Sequence, residues 1–207
     1  MWLDGLYMLE PFYAEYSVVN NQPEYFNDII NQFVWMEKYG RDAKTGLLYH
    51  GWDESKLQRW ANKKTGLSPE FWSRSIGWYM MALVDVLDFI PANHPRRNEL
   101  IKILNRTTTA LIKFQDAKSG VWWQVTNKAN QDKNYLESSG TAMFVFSIAK
   151  AIRMKYLPAT FNAALQKAYN GMIKEFVKED ANGQYHYMQA VAGAGLGGIP
   201  YRDGTYE

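Results

Sequence analysis

The 207-residue sequence predicts an all-α fold, a double-layered toroid of helix pairs with short aromatic β-hairpins between the pairs. Two observations support this prediction. A phrase that begins Asp-Ala and contains a glycine recurs at residues 42–50, 116–124 and 180–187, each time after a helical pattern and before an aromatic strand. Helical segments of two kinds also alternate along the chain. A unit that recurs in this way is typical of repeat architectures.

The two kinds of helix differ in how much of their surface is apolar. One kind carries a single apolar stripe, as expected for an outer helix with one buried face. The other kind is apolar or small nearly all round, which is typical of an inner helix. The predicted outer helices begin near residues 23, 95 and 158, each close to a proline that suits a first helical turn. The predicted inner helices are 5–18, 74–90 and 138–152.

Three helix pairs are fewer than a closed toroid contains. By analogy with known folds, a ring of this type needs about six pairs. We therefore expect residues 1–207 to form a single domain that is truncated at both ends, starting within the entry to an inner helix and stopping at Tyr206-Glu207. Met1 would then be an internal residue, and the lack of a signal peptide would not bear on export.

Composition excludes several classes of function. The net charge is +2 with no basic run, so neither a nucleic acid nor a membrane surface is indicated as a partner. No stretch is apolar enough to span a bilayer. Without cysteine, the chain has no disulfide, thiolate nucleophile or Cys-ligated zinc. The eight Trp and fourteen Tyr either form an aromatic core or stack on sugars.

Candidate functional residues lie at the N-terminal ends of the inner helices, which converge on a central cavity. Asp4 and Glu137 start two of these helices, and Arg74 starts the third. Trp78 follows Arg74 by four residues and shares its helix face. A guanidinium beside an indole can bind a carboxylate while the ring stacks on a sugar. His50 lies between Tyr49 and Trp52 on the first aromatic strand, and we expect it at the opening of the same cavity, here called the mouth.

Each of these residues also has a purely structural interpretation. Asp4 is a plausible helix N-cap. Glu137 suits a first helical turn because of the helix dipole. Arg74 could pair with Glu70, and His50 could be an ordinary hydrogen-bonded loop residue.

Five motifs in order along the chain resemble one family, the unsaturated rhamnogalacturonyl hydrolases of glycoside hydrolase family 105. The related unsaturated glucuronyl hydrolases of family 88 are the nearest alternative. The motifs are Trp-Leu-Asp-Gly-Leu-Tyr-Met (2–8), Tyr-His-Gly-Trp-Asp (49–53), Trp-Ser-Arg-Ser-Ile-Gly-Trp-Tyr (72–79), Glu-Ser-Ser-Gly-Thr-Ala-Met (137–143) and Gly-Leu-Gly-Gly-Ile-Pro-Tyr-Arg-Asp-Gly-Thr-Tyr-Glu (195–207).

The resemblance implies an (α/α)6-barrel and a hydrolase that removes a C4=C5 unsaturated uronic acid from oligosaccharides left by polysaccharide lyases. It implies that Asp4 is the catalytic acid, and that no metal or organic cofactor takes part. Glu137 and Arg202 lie in family motifs without an assigned role. The residues implied to line the uronate subsite are His50, Trp72, Arg74, Trp78 and, close by, Trp2.

Several questions stay open at this point. The sugar after the uronate is expected to be rhamnose, but other lyase products are possible. The resemblance implies a cytoplasmic protein, with the periplasm as the alternative, and leaves the oligomeric state undetermined. Two other functions compete: a non-catalytic sugar-binding toroid that does not need Asp4, and a helical repeat protein that binds a partner through its concave face.

Overall fold

The computed structural model describes residues 1–204, so the predicted start of a further helix at Tyr206-Glu207 lies outside the described residues. The described part is mostly helical. Its helices are α1 (Gly5–Val19), α2 (Phe26–Gly40), α3 (Ser73–Phe89), α4 (Arg97–Ile112), α5 (Ser138–Arg153) and α6 (Asn162–Phe176), and its strands are β1 (Val177–Glu179) and β2 (Tyr185–Tyr187). Short 3-10 turns, Pro23–Tyr25 and Ala159–Phe161, lead into α2 and α6.

The helices form two layers, as the sequence predicted. Helix α3 packs between α1 and α5 in the inner layer, while α2, α4 and α6 pack outside α1, α3 and α5 respectively. Helices α3 and α5 are buried on most sides, whereas the outer helices bury one face. Helix α1 differs from the other inner helices, because Met8, Leu9 and Phe12 are exposed. It therefore lies at the edge of an arc of three helix pairs.

Helices α3 and α5 approach each other closely at their N-terminal halves. A Cβ atom on Gly140 would lie 2.8 Å from the carbonyl carbon of Ser73, and one on Gly77 would lie 2.8 Å from Met143 Cβ. Glycine is needed at both positions because any side chain would push the helices apart. At the far end of the pair, Lys150 donates hydrogen bonds to Asp85 (2.7 Å) and Asp88 (2.5 Å).

Each copy of the repeated motif folds into a turn in which the aspartate accepts hydrogen bonds from the residues that follow it. In the first copy the Gly46 amide donates to the Asp42 carbonyl at 2.9 Å, and the Asp42 side chain accepts from the backbone of Thr45. Asp116 repeats these contacts in the second copy. The third copy is one residue shorter: the Gly183 amide donates to the Asp180 carbonyl, and the Asp180 side chain accepts from the backbone of Asn182 and Gln184. The glycine of each copy has a positive φ, which favours glycine. The chain contains a fourth such turn at residues 62–67, where Asn62 replaces the aspartate.

The predicted hairpins form only in part. The third copy of the turn joins β1 and β2, which pair antiparallel through Lys178 and His186. Elsewhere in the described chain the aromatic segments make isolated bridges, among them Trp2 with Gly51, Trp72 with Val125 and Trp123 with Leu136. The first two bridges link loops from different helix pairs and so join the pairs side by side at one end of the arc, whereas the third closes the loop between α4 and α5 on itself.

Candidate active site

The bridges gather the N-terminal ends of the inner helices at one mouth. The Leu3 amide donates to the His50 carbonyl at 2.8 Å, which places Asp4, the next residue, beside the first aromatic segment. The Ser73 amide donates to the Gln124 carbonyl at 2.9 Å at the start of α3. The side chains predicted to form the site therefore come from three helix starts and one loop that are hydrogen-bonded together.

Asp4 occupies the N-cap position of α1, but its side chain makes no capping hydrogen bond. The bond to a first-turn amide that the capping interpretation of Asp4 requires is therefore absent in this structure. Burial raises the pKa of the Asp4 carboxyl, and the nearby backbone N–H groups of Asp4 and Gly5 and the charge of Arg74 offset part of that rise. A half-buried carboxyl with a raised pKa is suited to donate a proton.

Arg74 and Trp78 lie together on the inner face of α3. The guanidinium stands over the Trp78 ring, 5.7 Å from its centroid. The same ring packs against Tyr7 of α1 at 4.7 Å, so it bridges the two helices that carry Asp4 and Arg74. Arg74 does not pair with Glu70, which instead forms an ion pair with Lys128.

His50 is buried between two tryptophans. Its ring lies 4.2 Å from Trp72 and 5.3 Å from Trp2, and its Nδ1 is 2.6 Å from the Ser75 hydroxyl. Burial lowers the pKa of the imidazole to about 4, so His50 is neutral near pH 7. Its Nε2 has no hydrogen-bond partner among the described residues. A neutral ring fixed at one nitrogen can donate or accept at the other.

The tryptophans differ in how much surface they offer to a ligand. Trp2 is 40% exposed and Trp78 is half-buried, so both can contact a ligand in this conformation. Trp72 is only 1% exposed, because Leu196 and Ala194 pack with it; both belong to the stretch 193–204, here called the glycine-rich loop. In this conformation Trp72 therefore supports the His50 ring and does not present a stacking face.

The glycine-rich loop forms a cavity at the same mouth. Residues 194–200 and Arg202 enclose about 360 Å³ beside Trp2. A separate cavity of about 490 Å³ lies between the first and fourth turns, and none of the predicted site residues lines it. Of the predicted site residues, Trp2 lines the cavity beside the loop, and Asp4, His50, Arg74 and Trp78 lie outside its lining.

Sequence reasoning missed two hydroxyl residues and left Glu137 without a role. Glu137 is fully buried and caps α5, accepting from the amides of Ser139 (3.0 Å) and Gly140 (2.6 Å). Ser139 also accepts a hydrogen bond from Arg74 at 2.8 Å, and Ser75 contacts His50. Both serines lie in the quoted motifs. Ser75 directly follows Arg74, and Ser139 follows Glu137 by two residues; this proximity to candidate site residues was the sequence signal that could have identified them.

Within residues 1–204, no group of three or more His, Asp or Glu side chains is arranged to hold a metal ion. Among the described helices, none is long and apolar enough to cross a bilayer. His186 is bonded to Asp180 at 2.9 Å within the third turn and lies outside the site.

Comparison with known proteins identifies the family. The model of glycosyl hydrolase family 88 matches residues 1–207. The chain belongs to this family. The sequence-based resemblance to families 105 and 88 and the prediction of a glycoside hydrolase are thereby confirmed. The (α/α)6-barrel architecture is also confirmed, with three of its helix pairs present in this family 88 chain.

Several relatives of this family 88 chain are similar over most of its length. Protein Atu3128 of Agrobacterium fabrum is 36% identical over 202 residues, covering 94% of this chain and 85% of that protein. Unsaturated rhamnogalacturonyl hydrolase YesR of Bacillus subtilis is 29% identical over 164 residues, covering 79% of this chain and 45% of that protein. A solved family 105 glycoside hydrolase of C. acetobutylicum superimposes with a TM-score of 0.96 at 48% identity, covering 99% of this chain and 57% of that one.

The family 88 chain thus spans about half the length of the last two relatives.

Proposed function

We propose that this family 88 chain carries the catalytic acid and the uronate subsite of an unsaturated uronyl hydrolase. The enzyme would remove a C4=C5 unsaturated uronic acid from the non-reducing end of a lyase-generated oligosaccharide. One observation supports this proposal most strongly. Asp4 is half-buried at the start of α1, makes no capping bond and has a raised pKa, while the Arg74 guanidinium is close enough to affect that pKa.

The substrate suits a single acid. Its double bond is conjugated to the uronate carboxylate and is part of an enol ether through the ring oxygen. Most glycosidases need two carboxylates, one as an acid and one as a base or nucleophile. In the proposed reaction Asp4 protonates C4, which leaves an oxocarbenium ion at C5. The resulting Asp4 carboxylate then takes a proton from the water that adds to C5.

The addition product breaks down without further help from the protein. Water at C5 gives a hemiketal, and opening of the ring breaks the bond between C5 and the ring oxygen. The former ring oxygen then becomes part of a hemiacetal at C1, whose collapse to an aldehyde releases the neighbouring sugar. The glycosidic bond is therefore broken as a consequence of hydration, with no direct attack at C1.

The remaining residues would bind the sugar. Arg74 would hold the uronate carboxylate by paired N–H···O bonds, while the rings of Trp78 and Trp2 stack on the sugar. His50, neutral near pH 7, would orient the attacking water or bind a hydroxyl through Nε2, which is buried in this conformation and would first have to be uncovered. Trp72 would hold the His50 ring in place and would contact the sugar only if the glycine-rich loop moves.

The substrate class is proposed from relatives. Rhamnose is our first choice for the sugar after the uronate, since YesR is named an unsaturated rhamnogalacturonyl hydrolase. A glucuronyl substrate from other lyase products is the alternative. We further propose that residues 1–207 belong to a single catalytic domain that is truncated at both ends, that the reaction needs no metal or organic cofactor, and that the protein works in the cytoplasm, with the periplasm as the alternative.

The test follows the reaction through the ultraviolet absorbance of the substrate's conjugated double bond. The protein is incubated with unsaturated disaccharides made by lyases from rhamnogalacturonan, glucuronan and a glycosaminoglycan, and ultraviolet absorbance of the double bond is followed. Hydration removes the absorbance, whereas ordinary glycosidic hydrolysis leaves it. We expect loss of absorbance with at least the rhamnogalacturonan product. Binding of the disaccharides without absorbance loss would favour a sugar-binding module, and neither binding nor loss would refute the proposal.

A further inference from the structure

We propose that Ser139 and Glu137 are positioning residues that hold the Arg74 guanidinium in its uronate-binding orientation. This inference rests on the proposed function, because the role of Arg74 as the uronate clamp belongs to it. The hydrogen bonds run in one direction from the cation to the carboxylate. Arg74 Nη1 donates to Ser139 Oγ at 2.8 Å, and that hydroxyl donates to Glu137 Oε1 at 2.6 Å.

These two hydrogen bonds, here called the relay, leave unbound the edge of the guanidinium that can bind a carboxylate. Among the described residues, Nη1 is the only nitrogen of the Arg74 side chain with a hydrogen-bond partner. Nε and Nη2 point along one side of the planar group, and together they form the fork that binds both oxygens of a carboxylate. Fixing Nη1 therefore orients the other edge without occupying it.

Backbone packing keeps the relay within reach. The Cβ position of Gly140 lies 2.9 Å from the Arg74 amide nitrogen, so the N-terminus of α5 touches the N-terminus of α3. Ser139 immediately precedes this contact. Because the contact between the two helix backbones fixes the distance between the N-termini of α3 and α5, the Ser139 hydroxyl stays within hydrogen-bonding distance of Arg74.

Glu137 is itself rigidly held. It is fully buried, and its carboxylate accepts hydrogen bonds from the amides of Ser139, Gly140 and, at 3.0 Å, Val191. Val191 is at the beginning of the segment that leads into the glycine-rich loop. One carboxylate thus fixes the start of α5, the hydroxyl that holds Arg74 and the base of the loop beside Trp2. A preorganised cation loses less freedom when it binds an anion.

Ser139→Ala removes the relay hydroxyl and leaves the backbone capping bonds from residues 139 and 140 in place. Ser139→Thr keeps a hydroxyl and should restore the contact. Ser138→Ala is the matched control, because the Ser138 hydroxyl is buried without a hydrogen-bond partner in the described chain. The first measurement is KM and kcat on an unsaturated rhamnogalacturonan disaccharide, with Tm recorded for every variant.

We expect Ser139→Ala to raise KM about tenfold, with kcat changed less than about twofold. Without the Ser139 hydroxyl the Arg74 guanidinium is no longer held in one orientation, and this weakens its binding of the uronate carboxylate. Ser139→Thr and Ser138→Ala should keep KM near that of the parent. A KM in Ser139→Ala equal to that of the parent would overturn the inference. A parent that neither binds nor hydrates any lyase product would refute the proposed function instead.

A second measurement does not depend on turnover. The Nη1–H signal of Arg74, the group that donates to Ser139, is followed by low-temperature ¹H–¹⁵N NMR and assigned by its disappearance in Arg74→Lys. We expect a dispersed, slowly exchanging signal in the parent and in Ser139→Thr. In Ser139→Ala the signal should move toward that of free arginine and exchange faster with water. An unchanged signal in Ser139→Ala would refute the positioning role whatever the kinetics show.

Discussion

His50 Nδ1 lies 2.6 Å from the hydroxyl of Ser75, and this contact ties the first aromatic loop to the first turn of α3. Both side chains are buried, at 2% exposed for His50 and 2% for Ser75. The contact fixes one ring nitrogen, and the neighbouring Trp72 fixes the plane of the ring. The free nitrogen, Nε2, is thereby given a defined direction.

Ser75→Ala should therefore affect both stability and the imidazole. Removing the hydroxyl leaves His50 Nδ1 buried without its partner, which should lower the free energy of unfolding by about 1–3 kcal/mol. Urea unfolding measures this change, and ¹⁵N NMR of the ring reports the tautomer. Ser75→Thr, which keeps the hydroxyl, is the control. Equal stability and equal ring shifts in Ser75→Ala and the parent would contradict the account.

The pH dependence of activity follows from two pKa shifts. The proposed acid, Asp4, must be protonated, and its pKa is raised by burial, so kcat/KM should fall as pH rises through that pKa. His50 has a pKa of about 4 and stays neutral above it, so its titration should cause no change in kcat/KM between pH 5 and 7. A pH profile of kcat/KM tests both statements. Activity that rises steadily from pH 4 to 8 would show that Asp4 is not the acid.

Glu10 should make stability depend on pH. This residue of α1 is 3% exposed, and burial, then the charge of Asp28, raises its pKa from 4.5 to about 8. Because the folded state keeps the proton while the unfolded state loses it, stability should fall as pH rises between these values, by up to about 1.4 kcal/mol per pH unit.

The Glu10→Gln variant should lack this loss. Unfolding free energies at pH 5, 6.5 and 8 are compared for the parent, Glu10→Gln and Glu15→Gln, an exposed control on the same helix. The parent and the control should lose stability over this range more steeply than Glu10→Gln. Parallel curves for all three proteins would show that Glu10 ionises normally in the folded state.

Gly140→Ala should disturb the contact between α3 and α5. The added methyl would lie within 3 Å of backbone atoms of Ser73 and Arg74, which cannot rotate away, and such overpacking costs about 1–3 kcal/mol. Gly193→Ala is the control, because open space surrounds that glycine. Thermal unfolding should show a lower Tm for Gly140→Ala only. Equal Tm values would mean that the helices are not in backbone contact.

Much of the architecture could be predicted from the sequence because periodicity reports burial directly. The all-round apolar pattern marked α3 and α5 as inner helices, and the stripes marked the outer ones. The predicted hairpins were only partly correct. The segments near His50 and Gln124 bond to loops of neighbouring helix pairs, and such long-range pairing leaves no local pattern. The fourth turn was missed because Asn62 stands where the other turns have aspartate.

The site was less predictable than the fold. The predicted residues do meet at one mouth, since each starts an inner helix or lies in the adjoining loop. Burial of Trp72 could not be foreseen, because it depends on Leu196, which is more than a hundred residues away in sequence. The relay from Arg74 to Glu137 likewise depends on the close approach of two glycine-bearing helices, which only the packed structure reveals.

The most direct test of the account is the activity of Asp4→Asn on the unsaturated rhamnogalacturonan disaccharide. The substitution keeps the size of the side chain and removes the transferable proton. Asp53→Asn, at an aspartate in the adjoining loop, is the matched control. We predict that Asp4→Asn folds with the Tm of the parent and loses nearly all absorbance decrease, while Asp53→Asn keeps it. Normal absorbance loss in a folded Asp4→Asn variant would contradict the central claim that Asp4 protonates the double bond.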